Sequence, residues 1–310
     1  MALSAPLLTR KRCVQVKVEA EKGTQLLTTP TDGLFFDPTM SPTAPFIERK
    51  GAGLYLGHTQ AGILGELSGE WSAEMEYRTN GTIMDPALAI ILQGCGFKKS
   101  TESYAPTSTH SEQSTLTIIQ SEDGIRKIMH GCMGNVSIEG EIGKRIMVKP
   151  TMSGIWDAPT DQALPAYTPG TTAPLMMKGG TFTITPSGGS ALSVLISKFS
   201  LDMGNTVAMR PDPDTASGIG YYIITDRDPI FTMDPEADLV AGIDFYGAWL
   251  AGTEAAVSLA FGSNAYEITI TIPKFQYREI KDGDRDGVQI YDVTGQCNIT
   301  DGNDEVTIAV

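Results

Sequence analysis

The feature that most constrains this chain is an alternation of apolar and polar residues, broken by short turns and renewed many times. Cys13-Val14-Gln15-Val16-Lys17-Val18 is the first such run. Others lie at 114–120 (STLTIIQ), 181–185 (TFTIT), 221–225 (YYIIT), 266–272 (YEITITI), 288–293 (VQIYDV) and 306–310 (VTIAV). A period of two puts one face of a strand in a core and the other in water. Glu122-Asp123-Gly124, Ser187-Gly188-Gly189, Lys281-Asp282-Gly283 and Asp301-Gly302-Asn303 supply turns between the runs. The 33 glycines and 18 prolines fit a chain that reverses often. The fold class these patterns predict is mainly β.

Helical signals are few. Met84-Asp85-Pro86 offers an N-cap carboxylate and a proline at the first helical position, followed by the apolar run 87–92 and a stop at Gly94. Met233-Asp234-Pro235 repeats the signature, with Ala237, Leu239, Val240 and Ile243 at helical spacing and an end near Gly247 or Gly252. A long hairpin is predicted after each. The first bends at 140–145 and the second at 281–287. The echo suggests a duplication, and 310 residues accommodate two domains of about 150 each. The join falls in 157–174 (DAPTDQALPAYTPGTTAP), whose four prolines make an extended connector. The expected division is 1–157, a connector 158–174, and 175–310. The Thr- and Pro-rich stretch 26–46 is a second segment expected to have little regular structure.

A net charge of −14 argues against a basic surface for tight nucleic-acid binding. Cys13, Cys95, Cys132 and Cys297 form no CxxC pair, so reduced thiols fit better than a zinc site or disulfide framework. The N-terminal stretch has no apolar run long enough for a signal peptide or membrane span, which predicts a protein that stays where it is made or leaves by lysis. His58, His110 and His130 stand in no HExxH or HxH arrangement. No GxSxG, Walker or GxGxxG motif is present, so no catalytic residue and no cofactor is predicted. The one ligand-like motif is Asp282-Gly283-Asp284-Arg285-Asp286-Gly287, which imitates the start of an EF-hand loop. Its twelfth place is Val293 where a bidentate Glu belongs, so a solvated turn is the preferred reading. A weak Ca2+ site on Asp282, Asp284 and Asp286 is the alternative. Trp71, Trp156 and Trp249 are too scattered for a stacking platform and are expected to anchor cores or interfaces.

Several segments, taken in order, resemble the tail tube proteins of long-tailed phages. They are the run 88–97 ending Gly94-Cys95-Gly96-Phe97, then 104–108 (YAPTS), Glu122-Asp123-Gly124, and 129–138 (MHGCMGNVSI). After them come 152–156 (MSGIW), 199–207 (FSLDMGNTV) and 226–229 (DRDP), a resemblance covering about 45–310. It implies tandem domains, each a β-sandwich or barrel with one flanking helix and a long hairpin reaching toward neighbours. The implied function is a structural, non-catalytic subunit whose stacked rings form a channel for DNA during ejection. Two domains per chain predict a trimeric ring with pseudo-sixfold symmetry; a hexamer is the alternative. Head-to-tail contacts would stack the rings, with 26–46 and 157–174 ordering on stacking. The implied partners are further copies of the chain, a tape measure protein in the lumen, tail terminator and tail-tip proteins, and DNA passing without sequence-specific binding; no membrane is implied. The implied locations are the virion and, during assembly, the host cytoplasm. Competing readings are another β-rich virion component, such as a terminator or adhesin, and a carbohydrate-binding or hydrolytic β-sandwich.

Overall fold

The computed structural model describes residues 6–53, 57, 60–79, 83–101, 103–262 and 268–310. It is mainly β, with two helices among the described residues. The first half of the chain gives β1 (Arg12–Val18), β2 (Thr31–Gly33), β3 (Phe35–Thr43), β4 (Phe46–Ile47), β5 (Ile63–Leu64) and β6 (Ser68–Glu76). Helix α1 (Pro86–Gly94) precedes β7 (Phe97–Ser100), β8 (Ser103–Pro106), β9 (Leu116–Glu122), β10 (Ile125–Glu141) and β11 (Met147–Asp161). The second half gives β12 (Thr181–Pro186), β13 (Leu192–Ser193), β14 (Lys198–Asp202), β15 (Asn205–Pro211), β16 (Ile219–Arg227) and β17 (Ile230–Met233). Then come α2 (Phe245–Ala251), β18 (Glu254–Phe261), β19 (Ile268–Arg285), β20 (Val288–Asn298) and β21 (Thr307–Ala309).

The strand pairings fall into two antiparallel sets of the same order. The first runs β2–β1–β9–β10–β11–β6–β3. The second runs β13–β12–β18–β19–β20–β17–β14. Position for position, the two sets also follow the same order along the chain. Each has its helix between the fourth strand and the fifth, and a two-stranded excursion between the third and the fourth: β4–β5 in one, β15–β16 in the other.

Two ties join the sets. Beyond the reach of β9, the far end of β10 pairs with β14, from Ser137 opposite Asp202 to Glu141 opposite Lys198. β21 lies between β19 and β8. The first tie makes one continuous eight-stranded path, β3–β6–β11–β10–β14–β17–β20–β19. A single apolar core spans both sets and contains Trp71, Ile138, Phe199, Leu201, Phe231 and Phe275. Phe199 stacks on Phe231 and Phe261 at the tie. Burying each such ring contributes about 1.5–3 kcal/mol, so the β10–β14 joint is a packed interface as well as a hydrogen-bonded one.

The first helix forms as its sequence predicts: Asp85 accepts from the N–H groups of Ala87 and Leu88, and Pro86 opens the helix. The second does not. No helix starts at Asp234, and Leu239 and Val240 are exposed. The Asp234 carboxylate is taken by the N–H groups of Ser197 and Lys198 and by the Ser197 hydroxyl. Residues 235–237 are bonded across to β20, through Tyr291 N–H to the Pro235 carbonyl and Ala237 N–H to the Gln289 carbonyl. The helix starts ten residues later, capped by Asp244 and ended by a left-handed Gly252.

The second hairpin turns at the end of the predicted 281–287 stretch. β19 continues to Arg285, and the reversal is made by Asp286 (φ 53°) and Gly287 (φ 87°), a two-residue turn with both centres left-handed. Stretch 26–46 is irregular only over 26–30 and at short joins beyond: β2 pairs with β1 and β3 pairs with β6, with Met40 buried and Phe35 edge-on to Trp71. Pro38 falls where the register slips and Pro42 toward the strand end, so neither forbids a sheet-edge strand. β11 runs on to Asp161, so the irregular connector starts later than 157. It is strapped to the first set: Tyr167 donates to the Gly33 carbonyl, Thr168 N–H to Asp32, and Arg78 to the Gly170 carbonyl.

Candidate functional site

The eight-stranded path has two unlike faces. Ile138, Leu201, Phe231, Gly295 and Tyr277 are successive cross-strand partners on the core side. One residue along, Glu139, Ser200, Thr232, Thr294 and Glu279 form the matching row on the other side. Such alternation is what one buried and one solvated face require. The polar face carries a groove of about 520 Å³ whose lining includes Glu74, Glu139, Lys149, Ser200, Thr232 and Thr294. Its charges are largely neutralised in pairs, with Lys149 2.6 Å from Glu139 and Lys144 2.7 Å from Glu141. The face is therefore hydrophilic without a concentrated field of either sign.

The two ends of this path are open. Among the described residues, β3 pairs with no strand but β6, although Arg12 donates to the Pro38 carbonyl, and β19 beyond Gln276 pairs with no strand but β20. The Trp249 indole N–H, 3.1 Å from the Arg278 carbonyl, closes the ladder just past the end of β18. Unpaired edges of this kind template the addition of another strand unless they are covered. These edges are the functional feature that sequence reading missed. A strand's residues show that it pairs, but not which of its sides lacks a partner.

The residues singled out by sequence are placed as follows. Asp282 and Asp284 lie on β19 and Asp286 in the turn. Asp282 accepts from the Tyr246 hydroxyl, and Asp284 accepts from the Gly287 N–H. Among the described residues, no three His, Cys, Asp or Glu side chains gather in a way that could hold a metal ion. His130 Nδ1 sits 2.9 Å from Asp157, whose carboxylate also accepts from Gln25. His110 stacks on Tyr221, and burial with nearby Lys22 and Arg210 lowers its pKa. His58 lies outside the described residues. All four cysteines are free and buried. Burial pushes the Cys297 thiol up to about 12 and raises Cys95 and Cys132 further from the thiolate form. Trp71 is buried in the core, whereas Trp249 is part-exposed beside β19.

Together these features define a mainly β protein with two sheet edges that no strand among the described residues covers. The family model described as phage tail tube protein matches residues 9–301. The chain belongs to that family. It is a structural component of the phage virion, and the family implies self-association into a tube. No curated protein matches the chain. No helix among the described residues is long and apolar enough to cross a membrane.

Proposed function

We propose that the chain comprises two tube domains and that three chains close into one ring with pseudo-sixfold symmetry. Rings then stack head to tail into a channel through which the genome passes without sequence-specific binding. The observation that carries this reading is the repeated strand order, four plus four strands along one continuous sheet. The domains correspond to the strand sets β1–β11 and β12–β20, with the Pro-rich segment between them. Three chains would contribute twenty-four strands, eight from each. At a strand spacing of about 4.8 Å and a tilt of about 40°, such a barrel is roughly 45–50 Å across between backbones. Side chains on both walls still leave room for a duplex. The polar face, with its paired charges, is the candidate lining, suited to a polyanion that must slide without sticking. A tape measure protein would fill the lumen during assembly, and terminator and tip proteins would meet the tube's ends. Assembly in the host cytoplasm fits the free, buried thiols.

Electron microscopy of the purified protein at high concentration tests the reading. Hollow filaments with a regular axial repeat are expected, and a persistent monomer would refute the tube. Native mass of single rings tests the stoichiometry: three chains are expected, and six would overturn the two-domain ring.

A further inference from the structure

We propose that the β15–β16 excursion is held on the first strand set by a pH-sensitive latch: neutral His110 bonds the Tyr221 hydroxyl, and protonation of that imidazole loosens the excursion. The inference stands apart from the tube reading, because it concerns a contact within one chain.

The contact has an apolar underside and a polar outer clasp. Beneath, Ile219 and Tyr222, with Val207, Met209 and Ile224 beside them, pack with Met133 and Ile155 of the first set. The backbones also come close. A Cβ on Gly23 would stand 2.0 Å from the Gly220 carbonyl oxygen, and one on Gly131 would stand 3.2 Å from the Tyr221 Cα. The clasp gathers side chains from three places. Arg210 and Tyr221 face each other across the excursion's own ladder, Lys22 comes from the turn between β1 and β2, and His110 from the segment after β8. His110 Nε2 lies 3.0 Å from the Tyr221 hydroxyl, and the two rings stack with centroids 5.9 Å apart. Arg210 Nη1 donates to the same hydroxyl at 2.5 Å, with its guanidinium 5.0 Å from the ring centroid. Lys22 donates to the His110 carbonyl and sits 6.0 Å from the same centroid.

Proton counting makes this clasp a switch. With neutral His110 carrying its proton on Nδ1, Arg210 donates to the Tyr221 oxygen and the Tyr221 O–H donates to Nε2, so each donor has an acceptor. A proton added to Nε2 turns that acceptor into a donor. The tyrosine oxygen then faces two N–H groups, its own hydrogen loses this acceptor, and a third cation stands beside Lys22 and Arg210. The nearby carboxylates are engaged elsewhere. Glu19 accepts from Thr115, Thr117, Gly23 and Gly131. Glu112 accepts from Lys98 and Thr107, Asp157 from His130 and Gln25, and Asp212 from the Asp214 N–H. Glu21, in the same turn as Lys22, is exposed. Burial, then the two cations Lys22 and Arg210, lower the His110 pKa. The docked value lies below the ordinary one of about 6.5, so docking is full above that pH and weakens as the pH falls below it toward the docked value. Loosening uncovers Val207, Met209 and Ile224, and leaves the excursion standing out as β4–β5 does.

Hydrogen exchange reads the latch. An isolated two-stranded ladder is marginally stable in water, so amides in 207–210 and 219–224 report docking once exchange is corrected for the intrinsic effect of pH. Their protection, relative to β18 and β19 in the same sample, should fall about two- to fivefold between about pH 7.5 and about pH 5.5, the scale of an exposed charge interaction. His110→Gln keeps a carbonyl acceptor and cannot titrate, so its protection should stay level across that range. Tyr221→Phe, a second and independent variant, should lose the clasp at both pH values and with it the pH dependence. Level protection in the unmodified chain overturns the latch. So does a fall of the same size in His110→Gln, which would place the sensor elsewhere, at His130 beside Gly131.

Discussion

Asp234→Ala should destabilise the chain by about 3–5 kcal/mol, the range for removing one member of a buried charged network. Asp234 is 1% exposed. Its Oδ1 accepts from the N–H groups of Ser197 and Lys198, both at 2.8 Å. Its Oδ2 takes the Ser197 hydroxyl and faces Arg285 at 3.4 Å. Alanine leaves two backbone donors, a hydroxyl and a guanidinium without this acceptor. Each unsatisfied buried donor costs about 1–3 kcal/mol, and partial hydration of Ser197 and Lys198 keeps the total below the simple sum. Asp234→Asn keeps an oxygen for the two N–H groups but loses the charge, so about 1–2 kcal/mol is expected for one charge-assisted contact. The measurement is urea unfolding of unassembled protein, followed through the fluorescence of buried Trp71. With m near the upper end of the ~1–3 kcal/mol/M range, the alanine variant's midpoint should fall by about 1 M or more. An alanine variant within about 0.5 kcal/mol of the parent, the usual scatter for surface changes, would refute the assignment of Asp234 as the clasp between β14 and β17.

Three further outcomes follow from other parts of the molecule. A side chain at Gly140 would put its Cβ 2.4 Å from Cε1 of Phe199, so Gly140→Val should lower stability by about 1–3 kcal/mol through overpacking, read by the same unfolding curves. Gly287 has φ +87° and open space where a Cβ would stand, so Gly287→Ala should cost about 1 kcal/mol from backbone strain alone; no loss would show that the turn relaxes. Asp123 has its carboxyl pKa lowered, first by the Leu8 N–H at 2.7 Å and then by Lys11. Because the folded value lies below the unfolded one, this tether is intact above the ordinary aspartate range of about 4 and is lost as pH falls through the folded value. Pepsin release of the first residues, divided at each pH by its cleavage of an unstructured peptide, should rise as the pH is lowered stepwise from about 4.5 through the folded value, and Asp123→Asn should flatten that ratio.

Local chemistry was legible wherever it was self-sufficient. Asp85 caps α1 because its partners are two and three residues away, and the predicted run at 181–185 forms β12 with Phe182 and Ile184 buried on one face. The same Met-Asp-Pro letters at 233–235 misled because the partners of Asp234 are Ser197 and Lys198, 37 and 36 residues distant. β3 escaped notice because Thr and Pro dominate its 39–43 stretch, while Trp71 and Met75, which organise it, lie on another strand. The tube family was readable from motif order, yet the open edges of β3 and β19 were not. Their chemistry is backbone, common to all residues, and only the pairing network distinguishes a used edge from an unused one.

On the proposed two-domain reading, the two excursions are corresponding insertions put to different uses. β4–β5 holds Phe46, Ile47, Ile63 and Leu64 out in solvent, while β15–β16 folds back so that Val207, Met209, Tyr222 and Ile224 pack with Met133 and Ile155. One is an apolar projection and the other a prop against the sheet. In a ring of identical single repeats every position would carry the same ornament, whereas in the proposed ring of two-domain chains neighbouring positions could specialise independently while the shared scaffold beneath them stays the same.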